Sequence, residues 1–419
     1  MVRSAIIGLL LILTHSLGAV QIIIPMDASQ KNHLKAYGIA FWMLQKQREI
    51  QWLLNYNGGS FMFDYAKDVE LECKIRGVNY EVISEGAANA IITQIQDPSV
   101  NMNTIKLLNA PKIAVYSPKT KQPWDDAVTM VLTYAEIPYD VIFDDEVLDE
   151  KLLNYDWLHL HHEDFTGQFG KFYSSYNSAP WYIAEVEEAE AMAKKRGYTS
   201  ARELKLATAL KIRNFILGGG FLFAMCSATD TYDIAMAAAE TDICEELFDG
   251  SPADPNAQSK LQFDRCLAFK NFTLNTDPFE YEFSNIDVDP YFRRVSETDD
   301  LFTLFDYSAK WDLIPSILCQ NHTKTIKGFM GQTTAFRSDF VRSDVLVMGE
   351  NALLNESRYL HGELGKGTWT FYGGHDPEDY QHFIGEQPTD LNLHPNSPGY
   401  RLILNNILFP SAKKTKQKT

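Results

Sequence analysis

Five apolar residues in a row, Phe221-Leu222-Phe223-Ala224-Met225, stand between two segments of helical pattern, and they constrain the fold more than anything else in the chain. A strand with no polar face must be covered on both sides, as parallel sheets flanked by helices allow. An amphipathic helix over 201–217 precedes the run and is closed by Gly218-Gly219-Gly220, glycine being the common residue past a helix C-terminus. A helix over 231–248 is predicted to follow. The same alternation extends upstream. Strands are predicted at 112–116, 139–143 and 155–161, and an Ala/Glu/Lys-rich helix at 182–196. A further helix over 124–136 starts with Asp125 and Asp126, where the helix dipole favours acids. The order β-α-β-β-α-β-α predicts an α/β protein with a doubly wound, mostly parallel, flavodoxin-like sheet.

Residues 20–110 alternate in the same way, which predicts an N-terminal α/β segment with parallel packing. Its strands are read at 21–26, 51–56 and 80–83, and its helices at 32–47 and 66–76. Over 250–345 helical periodicity fades, and loops with short strands are expected. Regularity returns with a strand at 367–372 and a helix at 399–408.

The chain has 419 residues, which suits two or three domains. Arg3, the apolar run over 5–13 and the small residues Ser16, Gly18 and Ala19 have the layout of a secretory signal peptide. That predicts a periplasmic or secreted protein whose mature form starts near 19–21. The run is too short to span a bilayer, and no other stretch is longer, so no transmembrane segment is expected after cleavage. The domain reading is a signal peptide at 1–19, the N-terminal segment at 20–110, and a main domain at 111–410 carrying the 250–345 insertion. A disordered basic tail completes it at 411–419. With 38 Lys+Arg against 55 Asp+Glu, a net charge of −17 speaks against nucleic acid and anionic lipid as partners. A small-molecule or amide substrate is the expected partner, and oligomeric state is not legible. The five cysteines form no C-x-x-C pair, so no thiolate zinc site is expected, and their odd number leaves a thiol free. No cofactor is predicted.

Three strand ends carry candidate chemistry. Cys226 follows the apolar strand and precedes a helix, with Ala224 and Ala228 two residues to either side. A nucleophile elbow has this form, with small neighbours relieving the crowded turn. A helix N-terminus there would favour thiolate, with Ser227 and Thr229 as potential caps. The alternative is a buried cysteine packed as a small hydrophobe. His375 lies in Gly373-Gly374-His375-Asp376-Pro377-Glu378, where a histidine beside acids suits a base for the thiol. The run His159-Leu160-His161-His162-Glu163-Asp164 ends another strand. On a continuing strand His159, His161 and Glu163 would share one face, a set able to hold zinc or iron. A substrate pocket with an oxyanion loop at 163–170 is the favoured reading, and metal the weaker alternative. All three ends fall on the carboxyl rim, where open α/β sheets bind ligands.

These segments resemble the class I glutamine amidotransferase-like superfamily over 111–410. The stretch 218–226 resembles its glycine turn, strand and nucleophile, and 365–375 its late strand and catalytic histidine. The stretch 400–408 resembles the last helix of the related trehalose-utilisation (ThuA-like) proteins. The chain after the signal peptide is also similar to exported bacterial proteins labelled asparagine synthetase B, although asparagine synthetase's own motifs are absent: there is no Cys at position 2 and no SGGxDS loop. The resemblance implies Cys226 as nucleophile and His375 as base. The family's acid lies two residues after the histidine; here the run is one residue longer, leaving Glu378 or Asp376 for that role. Ser227, His161, His162, Glu163 and Asp164 are the expected substrate or oxyanion residues. The expected function is an exported amidotransferase-like cysteine amide hydrolase. The alternatives are a non-catalytic ThuA-like binding or envelope-interaction protein and a metal-dependent hydrolase built on His159, His161 and Glu163.

Overall fold

The computed structural model of the chain describes residues 20–119, 122–288, 293 and 295–412. The expected signal peptide and most of the basic tail lie outside the described residues. The fold is mixed α/β, built on two sheets.

The first sheet contains β1 (Val20–Ile24), β2 (Ile50–Leu54), β3 (Ser60–Asp64), β4 (Glu81–Ser84) and β5 (Asn103–Leu107), in the order β4-β1-β3-β2-β5. Every pairing in it is antiparallel, which corrects the expectation of parallel packing. For β2 and β3 the reason is connection length. β2 and β3 are joined by five residues, Asn55 to Gly59, in which Asn55, Asn57, Gly58 and Gly59 adopt positive φ. A parallel return needs a crossover of a dozen residues or more. Helices His33–Gln45 and Lys67–Arg76 lie between strands of this sheet in the chain. The first is capped by the Asn32 side chain, which accepts from Lys35 N.

The second sheet contains β6 (Ile113–Tyr116), β7 (Asp140–Ile142), β8 (Trp157–Leu160), β9 (Phe221–Met225), β10 (Leu301–Leu304), β11 (Thr325–Lys327), β12 (Phe336–Arg337), β13 (Leu346–Asn351), β14 (Glu356–Leu364) and β15 (Gly367–Tyr372). Five strands run parallel in the order β7-β6-β8-β9-β15. β14, β13, β10 and β11 continue the sheet antiparallel, and β12 pairs with β14. Residues 250–345 therefore contribute strands to the main sheet as well as loops.

Alternate residues of each parallel strand face opposite layers. Val115, Trp157 and Phe223 pack with helices Ala127–Ala135 and Pro398–Leu408, in a core shared with the first sheet's Ile22 and Trp52. Ala114, Leu158, Leu222 and Ala224 face helices Ala201–Gly218 and Ser227–Ala237. Helices thus cover both sides of β9, as its unbroken apolar sequence demands. The helix expected at 231–248 starts earlier and ends at Ala237. The Gln262 N–H donates to the Ala237 carbonyl, and Asp233 inside the helix accepts from the N–H groups of Leu267, Ala268 and Phe269. The chain beyond Ala238 is thereby drawn into a loop. Among the described residues, no helix is long and apolar enough to cross a membrane.

Candidate active site

Cys226 is the hinge between β9 and its helix, with φ 48 and ψ −140. Positive φ strains a residue that carries a Cβ, so surrounding contacts must hold it. Its N–H donates to Gly374 O at 3.2 Å, and its carbonyl accepts from Thr229 N at 3.2 Å and Thr229 Oγ1 at 2.7 Å. Ala224 and Ala228 are fully buried beside it. Neither hydroxyl acts as the expected cap: Thr229 donates backward, and Ser227 Oγ is buried without a hydrogen-bond partner. The Ser227 N–H, in the first turn, finds no acceptor among the described residues and stays available to a developing oxyanion.

His375 follows β15 through a tight turn. Gly374 has φ 99, and a Cβ there would fall 2.4 Å from the Phe329 ring, so only glycine fits. The His375 N–H donates to Met330 O at 2.9 Å. Its ring interacts with the Cys226 thiol, and its Nε2–H donates to Asp125 Oδ1 at 3.1 Å. Burial pushes this imidazole down, but the Asp125 carboxylate and the Cys226 sulfur outweigh it and raise it to about 10. The acid on the ring is therefore Asp125, from the loop after β6. Asp376 Oδ1 instead accepts from Glu378 N at 2.9 Å, and Glu378 Oε2 meets His394 Nδ1 at 3.0 Å.

The histidine run departs from its expected geometry. β8 ends at Leu160, so alternation stops before His161. The His161 and His162 rings stack at 3.8 Å instead of pointing to opposite faces. Asp126 lies beneath them, 3.1 Å from His159 Nε2 and 3.2 Å from His161 Nδ1. Burial acts upward on Asp126, but these two imidazoles hold it well below the usual carboxylate range. His161 itself is pushed down to about 4, chiefly by burial. His162 Nε2 donates to Asp125 O at 2.8 Å. His375 lies 4.8 Å from the His161 ring and 4.7 Å from that of His162, and it stacks on His382 at 3.9 Å.

Glu163 and Asp164 do other work. Glu163 Oε2 accepts from His161 N at 2.9 Å. Asp164 accepts from Thr166 N at 2.7 Å, Gln168 N at 2.8 Å and Gly170 N at 3.1 Å. Those amides are spent holding the 163–170 loop in shape, which removes them as the expected oxyanion donors.

A second loop closes over the thiol. A Cβ on Gly331 would lie 3.1 Å from Cys226 Sγ and 2.8 Å from His375 N. This loop is clamped by buried Arg358, whose Nη1 donates to Phe329 O and Thr334 O, both at 2.9 Å. Asp287 accepts from Thr334 N at 2.9 Å, and Asp230 accepts from Thr333 Oγ1 at 2.8 Å.

An open cleft of ≈ 1290 Å³, counting the solvent at its mouth, reaches Cys226 and His375. Trp124, Phe172, Tyr176, Tyr281 and Phe383 wall it, and among the described residues its lining holds neither lysine nor arginine. Sequence reasoning brought Cys226, His375, Ser227 and the histidine run to one rim and missed Asp125's partner, Asp126's partners, His382 and Gly331. Asp125 and Asp126 stood at the start of the helix that follows β6, a loop-to-helix junction on the same rim and the one signal that could have marked them.

No protein-family model matches the chain, and no curated protein matches it. Solved structures similar to parts of it include a cytoplasmic protein from Salmonella typhimurium, 11% identical over 72% of this chain and 100% of that one, with a TM-score of 0.35. A cytoplasmic protein from Salmonella typhimurium LT2 is 12% identical over the same shares, with a TM-score of 0.36. A beta-galactosidase from Bacillus circulans sp. alkalophilus is 9% identical over 64% of this chain and 29% of its own, with a TM-score of 0.26. These likenesses are too distant to carry a fold or an activity across.

Proposed function

We propose that the protein is a cysteine-dependent amide hydrolase of the class I glutamine amidotransferase-like type, with Cys226 as nucleophile, His375 as base and Asp125 as orienting acid. The observation that carries the reading is the positive-φ elbow at Cys226, facing an imidazole held by a carboxylate. The parallel strand order β7-β6-β8-β9-β15 supports it, because it corresponds to the 2-1-3-4-5 order of flavodoxin-like sheets, with helices on both faces.

In this reading the Cys226 thiolate attacks the amide carbonyl and the Ser227 N–H receives the oxyanion. The C–N bond breaks as His375 gives its proton to the leaving amine. Water, deprotonated by His375, then cleaves the thioester and restores the thiolate. A cleft with neither lysine nor arginine among its described lining residues suits a neutral acyl group better than one bearing a carboxylate. In the same proposal the protein acts in the periplasm or outside the cell, and cell fractionation tests that part.

The deciding experiment pairs native alkylation by iodoacetamide, mapped by mass spectrometry, with hydrolysis of acyl-nitroanilides. Cys226 is expected to react first among the five thiols, and Cys226→Ala to abolish hydrolysis. Full hydrolysis by Cys226→Ala, or a Cys226 that reacts only after unfolding, overturns the reading.

A metal-dependent hydrolase is the second reading. The ligand atoms of His161, His162 and His375 lie within 4.8 Å of one another. Glu163 does not join His159 and His161, whose convergent acid is Asp126. Substoichiometric zinc and iron in purified protein removes this reading.

A further inference from the structure

Beside the Cys226 cleft, across a wall formed by Trp124 and His162, lies a second cavity of ≈ 830 Å³, counting the solvent at its mouth. Its lining is strongly acidic: among the described residues Asp125, Asp126, Glu163, Asp164, Glu185 and Glu188 face one ammonium, that of Lys205. Several of these charges are already engaged. Asp125 and Asp126 hold His375 and His159, and Asp164 is surrounded by backbone N–H groups. Lys205 Nζ donates to Tyr116 Oη and Asp144 Oδ2, both at 2.9 Å. Glu185 is different. Its Oε2 is shut off from water and meets no hydrogen-bond donor. A carboxylate oxygen desolvated without a donor is costly, and a cationic ligand removes that cost.

The shape of the cavity selects the cation. A metal ion needs donor atoms that converge, and among the described residues neither Glu163 nor Glu185 belongs to a group of ligands within 4.8 Å of one another. Trp124, Phe143 and Phe169 add aromatic surface to its acidic wall. Acids beside aromatic faces suit an ammonium carried on a carbon skeleton.

We propose that this cavity binds an organic ammonium cation, its N–H groups donating to Glu185 and Glu163 and its carbon body lying against Trp124 and Phe169. Burial pushes Glu185 up to about 7, with Lys205 acting against it and Asp164 and Glu188 adding to it. Arrival of a cation therefore expels protons, and affinity rises with pH through this range. The proposal does not depend on Cys226 being a nucleophile.

Isothermal titration calorimetry with 2-phenylethylammonium and its neutral counterpart 2-phenylethanol tests it on the full chain. The ammonium is expected to bind the native protein and Cys226→Ala alike, with proton release measured in buffers of different ionisation enthalpy. Glu185→Gln is expected to weaken it by about tenfold or more, and the alcohol to bind at least about tenfold more weakly than the ammonium. If a thermal melt shows Glu185→Gln to be unfolded, Glu163→Gln takes its place with the same expectation. No binding of the ammonium, equal binding of ammonium and alcohol, or a folded variant with native affinity overturns the proposal. Each of these results is independent of whether Cys226→Ala abolishes hydrolysis.

Discussion

Asp125→Asn tests the charge arrangement at the thiol most directly. The substitution keeps the shape of the side chain and removes its charge beside His375, whose Nε2 lies 3.1 Å from Asp125 Oδ1. Burial alone would lower the His375 imidazole; its rise from 6.5 to about 10 comes from Asp125 and Cys226 acting against burial. At 1.36 kcal/mol per pKa unit that rise amounts to roughly 5 kcal/mol in favour of imidazolium. If Asp125 and Cys226 share it, the Asp125 charge contributes roughly 2 kcal/mol. The sign follows from linkage. A histidine raised on folding stabilises fully below 6.5 and loses that contribution as pH rises through about 10. Urea denaturation at pH 7 should therefore find Asp125→Asn less stable by about 2 kcal/mol, with the difference closing above pH 10. At the acid end, burial pushes the Asp125 carboxyl up, but the His375 bond holds it below 3.8, so its stabilisation disappears as pH falls through that depressed value. The histidine ring signals of a carbon-13-labelled sample report the same change, with His375→Gln giving the assignment. His375 should titrate at lower pH in Asp125→Asn than in the native chain. An unchanged midpoint refutes the pairing, and with it the role given to Asp125.

Gly331→Ala would set a methyl 3.1 Å from Cys226 Sγ; alkylation of Cys226 should slow by about tenfold, with a stability loss of about 1–3 kcal/mol, read by mass spectrometry and a thermal melt. Arg358→Ala leaves buried Asp300 short of one guanidinium and frees the carbonyls of Phe329 and Thr334; a loss of about 3–5 kcal/mol in denaturant titration is expected. Asp164→Ala strands the amides of Thr166, Gln168 and Gly170; hydrogen exchange across 163–170 should accelerate, and stability should fall by about 1–3 kcal/mol or more.

Legibility followed the range of the interaction. The β9–Cys226–helix unit was readable because each of its signals is local: an apolar run, a glycine stop before it, small residues around the cysteine. β15 and the His375 turn were readable for the same reason. The first sheet was not, because strand direction is set by how the chain returns. β3 sits directly behind Gly58-Gly59 and turns an apparent β-α alternation into a hairpin. The acid partner was least visible of all. Asp376 and Glu378 are neighbours of His375 in sequence, yet Asp125, 250 residues away, reaches its ring. That contact exists because β6, β8, β9 and β15 are adjacent strands in one sheet, and their carboxyl ends share a rim. Strand order, which no local pattern encodes, selected the acid.

Two consecutive residues, Asp125 and Asp126, give neighbouring imidazoles different charges. Rings as close as His161 and His375, 4.8 Å apart, repel when both are protonated. Asp126 serves two histidines and touches neither the thiol nor His375. Burial and the neighbouring histidines outweigh its pull on His161, which stays neutral down to about 4. Asp125 acts on the imidazole that also faces a sulfur, and there attraction prevails over burial. One proton is therefore held at the ring beside Cys226 while His161 and His162 remain neutral. A cysteine hydrolase that must hand a proton to a leaving amine, as proposed above, needs the donor charged next to the nucleophile. Burial thus keeps His161 neutral in spite of Asp126, while Asp125 helps hold the proton on His375.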